Sequence, residues 1–179
     1  SISRSLDVYE LTGGIPSLVT MLQFSTDRTY GGALLEQAIC SLHRKVLKEL
    51  RRERDALYRP ACMMLLLGGG TVGDFERCGV KTHRETMERL ARDYPMFGLD
   101  GSRRTFSCLG KGASEYDDLR REIAERRPTF ASRAARMLMK TGKVDAAVAL
   151  AELVLDEKGA LSLVGQFPVQ FALAGHAQF

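Results

Sequence analysis

Basic side chains are concentrated between residues 43 and 59 of this chain. The stretch holds seven Lys and Arg residues against three acids, and this excess of four equals the net charge of the whole protein. A helix carrying the stretch would display a rigid basic stripe, which suits a polyanion such as RNA. A solvated helix face explains a charge run equally well, so both interpretations stay open. The residues predicted to bind nucleic acid here are Arg44, Lys45, Lys48, Arg51, Arg52 and Arg54.

Arginine is the more frequent basic residue type, with 19 Arg against 7 Lys. Guanidinium groups bind phosphates with two parallel hydrogen bonds and stack on bases, which ammonium groups cannot do. The composition therefore favours phosphate recognition. The residues expected to extend the binding surface beyond the basic stripe are Arg103, Arg104, Arg120, Arg121, Arg126 and Arg127.

A glycine-rich segment follows the most apolar part of the chain. Gly68, Gly70 and Gly73 match the spacing of a dinucleotide-binding fingerprint. That fingerprint works only inside a parallel strand-helix-strand unit, and no such pattern surrounds these glycines. They are therefore predicted to form a turn between helices, and no cofactor is expected.

Metal binding and nucleophilic catalysis find no support in the residue spacing. Cys40 with His43, and Cys78 with His83, are not spaced as in known zinc modules, so no metal site is expected. The three histidines have no partner in a recognisable catalytic motif. The chain is therefore predicted not to be an enzyme.

Apolar residues recur at steps of three and four along most of the chain, which predicts helices. Alternation with a period of two is almost absent, so we expect an all-α fold of about eight or nine helices with no significant sheet. The basic stripe would lie on the longest helix, over residues 32–58, and the apolar residues 61–67 would form the core. The remaining helices are expected near residues 2–11, 16–24, 82–94, 114–127, 130–140, 144–156 and 161–166.

An irregular stretch over residues 95–112 interrupts the helical pattern. It is expected to separate an N-terminal helical lobe, residues 1–94, from a C-terminal helical lobe, residues 113–179. The length of 179 residues suits one domain or two small lobes.

Cysteine usage and hydropathy predict a cytoplasmic or nuclear protein, and the cytoplasm is the compartment expected, that of a host cell if the protein is viral. The four cysteines lack CxxC spacing, and Cys40 and Cys62 lie in apolar segments, as small buried side chains in a reducing compartment do. No apolar run is long enough to span a bilayer, and no signal-peptide pattern is present at the start. Because the chain opens on Ser1, removal of a leader stays open.

Three resemblances bear on function. Residues 13–19, continuing to Met21 and Leu22, resemble the start of an armadillo repeat. Part of the same stretch also looks like the orthomyxovirus matrix protein, whose basic helix would correspond in type to residues 44–54. In size, basic charge and helical content the whole chain is similar to closterovirus RNA-silencing suppressors, which implies RNA binding without sequence preference and assembly into rings. The matrix-like residues are Leu11, Thr12, Gly14, Ile15, Val19, Leu22 and Arg28.

The function expected from these patterns is sequence-tolerant RNA binding by a self-associating, viral protein of the RNA-silencing suppressor type. Apolar residues after position 160 are numerous for such short segments, and they predict either a homo-oligomer interface or a tail folded onto the core. The alternatives from other classes are a helical adaptor that binds an acidic protein, and a matrix protein that contacts an anionic membrane.

Overall fold

A computed structural model describes residues 15–16, 18–19, 28–101, 104–109, 114–155 and 157–173. Across these residues the chain forms nine helices and three short strands, so the prediction of a mostly helical fold is confirmed. The predicted helix at residues 2–11 lies outside the described residues, and from residues 16–24 only Pro16, Leu18 and Val19 are described, all helical. The helices are α1 (Arg28–Glu53), α2 (Asp55–Leu67), α3 (Val72–Arg77), α4 (Arg84–Asp93), α5 (Ser114–Arg126), α6 (Pro128–Lys140), α7 (Val144–Val154), α8 (Glu157–Gln166) and α9 (Pro168–Leu173).

The predicted helix over residues 32–58 is two helices joined at Arg54. The Arg54 backbone leaves the helical region, with φ −143° and ψ 62°, and α2 begins at the next residue. One non-helical residue does not disturb the three- and four-residue spacing of apolar side chains, so the periodicity could not reveal the break. Pro60 lies inside α2, so the second helix begins five residues before the proline.

Helix α2 occupies the centre of the molecule, as its apolar sequence predicts. Every side chain over residues 61–67 is at most 4% exposed. The helix contacts α1, α3, α4, α5 and α6 and two of the three strands. Buried residues on both sides of the predicted linker, from Cys40 to Leu163, belong to one hydrophobic cluster around it.

The expectation of no significant sheet is corrected by a small antiparallel sheet. Its strands are β1 (Gly69–Gly70), β2 (Phe97–Asp100) and β3 (Thr105–Cys108), arranged in the order β1-β3-β2. Phe97 pairs with Cys108, and Gly69 pairs with Ser107. A Cβ atom at residue 69 would lie 2.5 Å from the Phe106 carbonyl oxygen, so the strand pairing requires glycine there.

The strands also correct two local expectations. Residues 95–112 are not wholly irregular, because they contain β2 and β3. The glycine-rich segment is more than a turn between helices, since it supplies β1 and then the start of α3. At that start Thr71 and Asp74 form a reciprocal capping box, in which the Asp74 carboxylate accepts the Thr71 N–H.

Helix α5 is attached to the end of α2 by hydrogen bonds inside the molecule. The Tyr116 hydroxyl donates to the Leu65 carbonyl oxygen at 2.7 Å, and the Arg120 guanidinium donates to the Leu66 carbonyl oxygen at 3.0 Å. Both carbonyls belong to the last turn of α2, whose acceptors have no partner within their own helix. The α2 end therefore fixes the position of α5 beside α1.

Candidate functional site

A groove runs between α1 and α5 where these two helices contact each other. Its cavity has a volume of about 500 Å³, within the range of small-molecule sites. On each helix the lining residues follow i, i+3, i+4, i+7 spacing, which places them on one face. We call this cavity the α1–α5 groove, and it is lined by Arg44, Leu47, Lys48 and Arg51 of α1, Leu119, Glu122, Ile123 and Arg126 of α5, and Tyr58 of α2.

The charge in the α1–α5 groove is mainly positive. Among the lining residues that the structure describes, four are cations and one, Glu122, carries a carboxylate. The Arg44 Nε donates to this carboxylate at 2.7 Å, so one cation is neutralised within the protein. Lys48, Arg51 and Arg126 are exposed and form no ion pair with a described residue. The groove thus offers to an anionic ligand three positive charges that no described carboxylate pairs with; they are called uncompensated below in this sense.

The floor of the α1–α5 groove is apolar. Leu47, Leu119 and Ile123 are at most 9% exposed and belong to the hydrophobic core. Tyr58 is also buried, and the guanidinium carbon of Arg127 lies 5.5 Å from the centre of its ring. The ring is therefore occupied by a cation–π contact of the protein itself.

Cys62 lies near the basic end of the groove but is unsuited to nucleophilic chemistry. The positive charges of Arg127, Arg126 and Arg51 favour its thiolate form. Burial has the larger effect and raises the pKa of the Cys62 thiol to about 11. The thiol therefore stays protonated at neutral pH, when it is a poor nucleophile.

Four of the twelve residues predicted to bind nucleic acid come together in the α1–α5 groove, namely Arg44, Lys48, Arg51 and Arg126. Lys45 and Arg52 are exposed on the same helix as the first three, and Arg121 is exposed on α5. Arg103 lies outside the described residues. Arg104 is in a different cavity of about 410 Å³, which it lines with Arg84 and the exposed Leu99.

Three of the predicted residues already make contacts with other groups of the protein through their guanidinium groups. Arg54 donates to the Asp93 carboxylate at 2.8 Å, a hydrogen bond that lowers the pKa of that carboxyl group. Arg120 is bound to α2 as described above, and its side chain is only 13% exposed. Arg127 lies between the rings of Tyr58 and Phe130. Their guanidinium groups are already occupied, so they are weaker candidates for phosphate contacts than the exposed cations.

Sequence reasoning missed the Glu122 counter-ion. The signal for it was present, because Glu122 shares its helix face with Leu119, Ile123 and Arg126 in the same spacing that α1 shows. Which face α5 presents to α1 depends on tertiary packing, so the sequence alone left that face undetermined.

His43 is a buried titratable residue of α1, directly before Arg44 of the α1–α5 groove. Its Nε2 lies 3.0 Å from the Leu109 carbonyl oxygen, which can only accept, so Nε2 carries the proton. Its Nδ1 is buried without a hydrogen-bond partner among the described residues. The rings of Phe97 and Tyr116 lie beside it. Burial lowers the pKa of the imidazole below the ordinary value of 6.5.

We expect this histidine to make the protein less stable in mild acid. Because its folded-state pKa is lowered, the unfolded chain takes up the proton first as pH falls below about 6.5. Above that pH, titration of His43 does not lower the free energy of unfolding. Below it, His43 decreases the free energy of unfolding by up to about 1.4 kcal/mol per pH unit. Urea unfolding at pH 7.5 and pH 5.5 should show a smaller pH dependence in His43→Gln, whose amide keeps a donor but does not titrate. An equal dependence in both proteins would contradict this role of His43.

Over the described ranges, no three His, Cys, Asp or Glu side chains form a group that could hold a metal ion. In that same part of the chain, none of the helices combines the length and apolar character needed to cross a membrane. Cys40 and Cys62 are fully buried, as predicted.

The α1–α5 groove is thus a recess with basic edges and an apolar floor, suited to an anionic ligand. The resemblances to viral suppressor and matrix proteins stay predictions. Comparison with known protein families, curated proteins and solved structures finds no match to this chain.

Proposed function

We propose that this protein binds RNA through its phosphates, without sequence preference, in the α1–α5 groove. The observation that carries the proposal is the set of three exposed, uncompensated cations, Lys48, Arg51 and Arg126, around one recess. Lys45 and Arg52 extend the positive surface along α1. Contacts to phosphates alone carry no sequence information, which makes the binding sequence-tolerant.

The shape of the site favours a phosphate chain over the flat surface of a membrane. Lipid headgroups form a plane, and a plane contacts cations that project from a convex surface. Here the cations of α1 and α5 surround a cavity of about 500 Å³, which a flexible polyanion can enter. RNA supplies such a chain with one negative charge per nucleotide.

The salt dependence of binding tests the proposal. Neutralising three to five phosphates of a single strand should give a slope of log K against log salt between about −2 and −3.5. Fluorescence anisotropy with RNA strands of equal length and different sequence should give similar affinities at each salt concentration from 50 to 200 mM. An affinity that is indifferent to salt, or that follows sequence, would refute this mode of binding. DNA of the same sequences shows whether the sugar matters.

Glu122 provides a gain-of-function prediction. Its carboxylate holds Arg44 at 2.7 Å and repels phosphate, so Glu122→Gln should release the guanidinium for the ligand. We expect the affinity for RNA to rise about threefold to tenfold, as one added phosphate contact would give, and the salt slope to steepen by about 0.7. Glu125→Gln, which removes the same charge from an exposed site of α5 outside the groove, is the matched control. Equal gains in the two variants would point to net charge instead.

We propose self-association through α8 and α9. Leu161 and Val169 on these helices are 64% and 63% exposed, whereas Leu163 is buried in the core. The two helices contact each other, and exposed apolar side chains on neighbouring elements are typical of interaction surfaces. Repeating a basic groove around an assembly would increase avidity for a long RNA.

Light scattering after size exclusion measures the assembly. The expected mass is a multiple of 19.8 kDa, and Leu161→Ser with Val169→Ser should reduce it to that of one chain. A mass of 19.8 kDa at all concentrations would exclude self-association.

The cellular setting is proposed on indirect grounds. All four cysteines are buried and none of them forms a disulfide, which is compatible with a reducing compartment such as the cytoplasm, of a host cell if the protein is viral. Binding RNA without regard to sequence is the activity that the resemblance to RNA-silencing suppressors implies.

A further inference from the structure

We infer that the α1–α5 groove receives an unpaired nucleotide, so that single-stranded RNA is the preferred ligand. This inference names the ligand class of the same groove, so it rests on the RNA binding proposed above. The cations alone suit single strands and duplexes alike, because both carry phosphates. The apolar floor between the cations distinguishes the two.

Charge and apolar surface are arranged as a nucleotide requires. Lys48 and Arg51 stand on the α1 edge, and Arg126 stands on the α5 edge. Leu47, Leu119 and Ile123 lie between these edges at the bottom of the cavity. A phosphate bound by the edge cations would place its base over the apolar floor. The volume of about 500 Å³ accommodates one nucleotide.

A duplex cannot use the floor. Its bases are paired and stacked in the interior, and only phosphates and sugars face the protein. Because α1 and α5 wall the cavity on two sides, a rigid duplex reaches the edge cations but leaves the floor uncovered. In a single strand the bases are free to turn outward and enter a protein site.

The aliphatic floor of the groove is also consistent with binding that does not depend on the base sequence. Aliphatic side chains contact the face of a base, and all four bases have such a face. Tyr58, the aromatic ring among the described lining residues, is in contact with Arg127. Base contact therefore falls mainly on the methylene stems of the exposed edge cations and on the small exposed part of the aliphatic floor, of which Leu47 at 9% contributes most. Neither surface offers hydrogen bonds that would read the base.

Three fluorescent RNAs test this inference by anisotropy at 100 mM salt, namely a ten-nucleotide oligouridylate, a ten-base-pair duplex and a ten-nucleotide abasic strand. The abasic strand keeps the phosphates and lacks the bases. We expect the oligouridylate to bind at least fivefold more tightly than either of the others.

A floor variant tests the place of contact. Leu47→Phe fills part of the cavity, so it should reduce oligouridylate affinity about fivefold and leave abasic affinity unchanged. Leu34→Phe, at a position of the same helix that is 38% exposed and outside the groove, is the matched control. If Leu47→Phe does not fold, the three RNAs still decide the matter with the unaltered protein.

The outcomes separate the ligand class from RNA binding itself. Equal affinity for all three RNAs, with loss of binding when Lys48, Arg51 and Arg126 are replaced by alanine, would overturn the single-strand preference and leave the proposed function intact. Tighter binding of the duplex would do the same. Absence of binding to all three would overturn both.

Discussion

Replacing Lys48, Arg51 and Arg126 by alanine is expected to weaken RNA binding about a hundredfold at 100 mM salt. These side chains are the uncompensated cations of the α1–α5 groove. An exposed contact between a cation and a phosphate contributes about 1 kcal/mol, and about 3 kcal/mol in total corresponds to two powers of ten in affinity. The salt slope should become shallower by about 2.

A control variant with the same change in charge removes Arg136, Lys140 and Lys143. These residues are exposed on α6 and at the start of α7, and none of them lines the groove. Their replacement by alanine should change RNA affinity by less than about twofold at this salt concentration, because screening limits charges beyond about 10 Å. Equal losses in the two triple variants would mean that net charge, and not the groove, determines binding. Circular dichroism and thermal unfolding check that both variants fold.

Gly79→Ala is expected to destabilise the protein by about 2.5 kcal/mol. Gly79 has a φ of +77°, where a residue with a Cβ atom is strained by about 1 to 2 kcal/mol. An added Cβ would also collide with the Arg133 guanidinium, which donates to the Cys78 carbonyl oxygen at 3.3 Å. Moving that side chain away breaks the hydrogen bond and adds about 1 kcal/mol.

The variant Gly142→Ala distinguishes the backbone strain from the collision with Arg133. Its φ of +76° is nearly the same, but a Cβ there would meet nothing within 4 Å. Gly142→Ala should therefore show only the backbone strain in urea unfolding. In an Arg133→Ala background, Gly79→Ala should likewise lose the contribution from the collision. If both glycine variants have the same stability, Arg133 does not restrict residue 79.

The helical part of the fold could be predicted because α-helices bury one face at a regular spacing. The segment over residues 61–67 is apolar on every side, and only a central helix buries such a segment completely. The sheet could not be predicted in the same way. Strands of two and four residues give too few alternating positions for a period of two to be recognised. The alternation of Phe106 and Cys108 with polar neighbours was the available signal.

The candidate site was predictable to the extent that it depends on one helix. Arg44, Lys48 and Arg51 share a face of α1 whatever packs beside it. The sequence predicts that Arg120 and Arg127 extend the RNA-binding surface of the basic stripe. Their partners are the Leu66 carbonyl and the Tyr58 ring, more than fifty residues away in sequence. Only tertiary structure shows whether an arginine is occupied by the protein or available to a ligand.

The hydrogen bonds from Tyr116 and Arg120 to the last turn of α2 have a consequence for how the groove evolves. They set the separation of α1 and α5 from within the core, so the width of the recess is established during folding. Ligand binding then requires little further ordering of these two helices and has a small entropy cost. The edge cations can then be exchanged without altering that width. Affinity is thereby adjustable by surface substitutions, while the size of the accepted ligand depends on Tyr116, which is buried, and on Arg120, which is mostly buried.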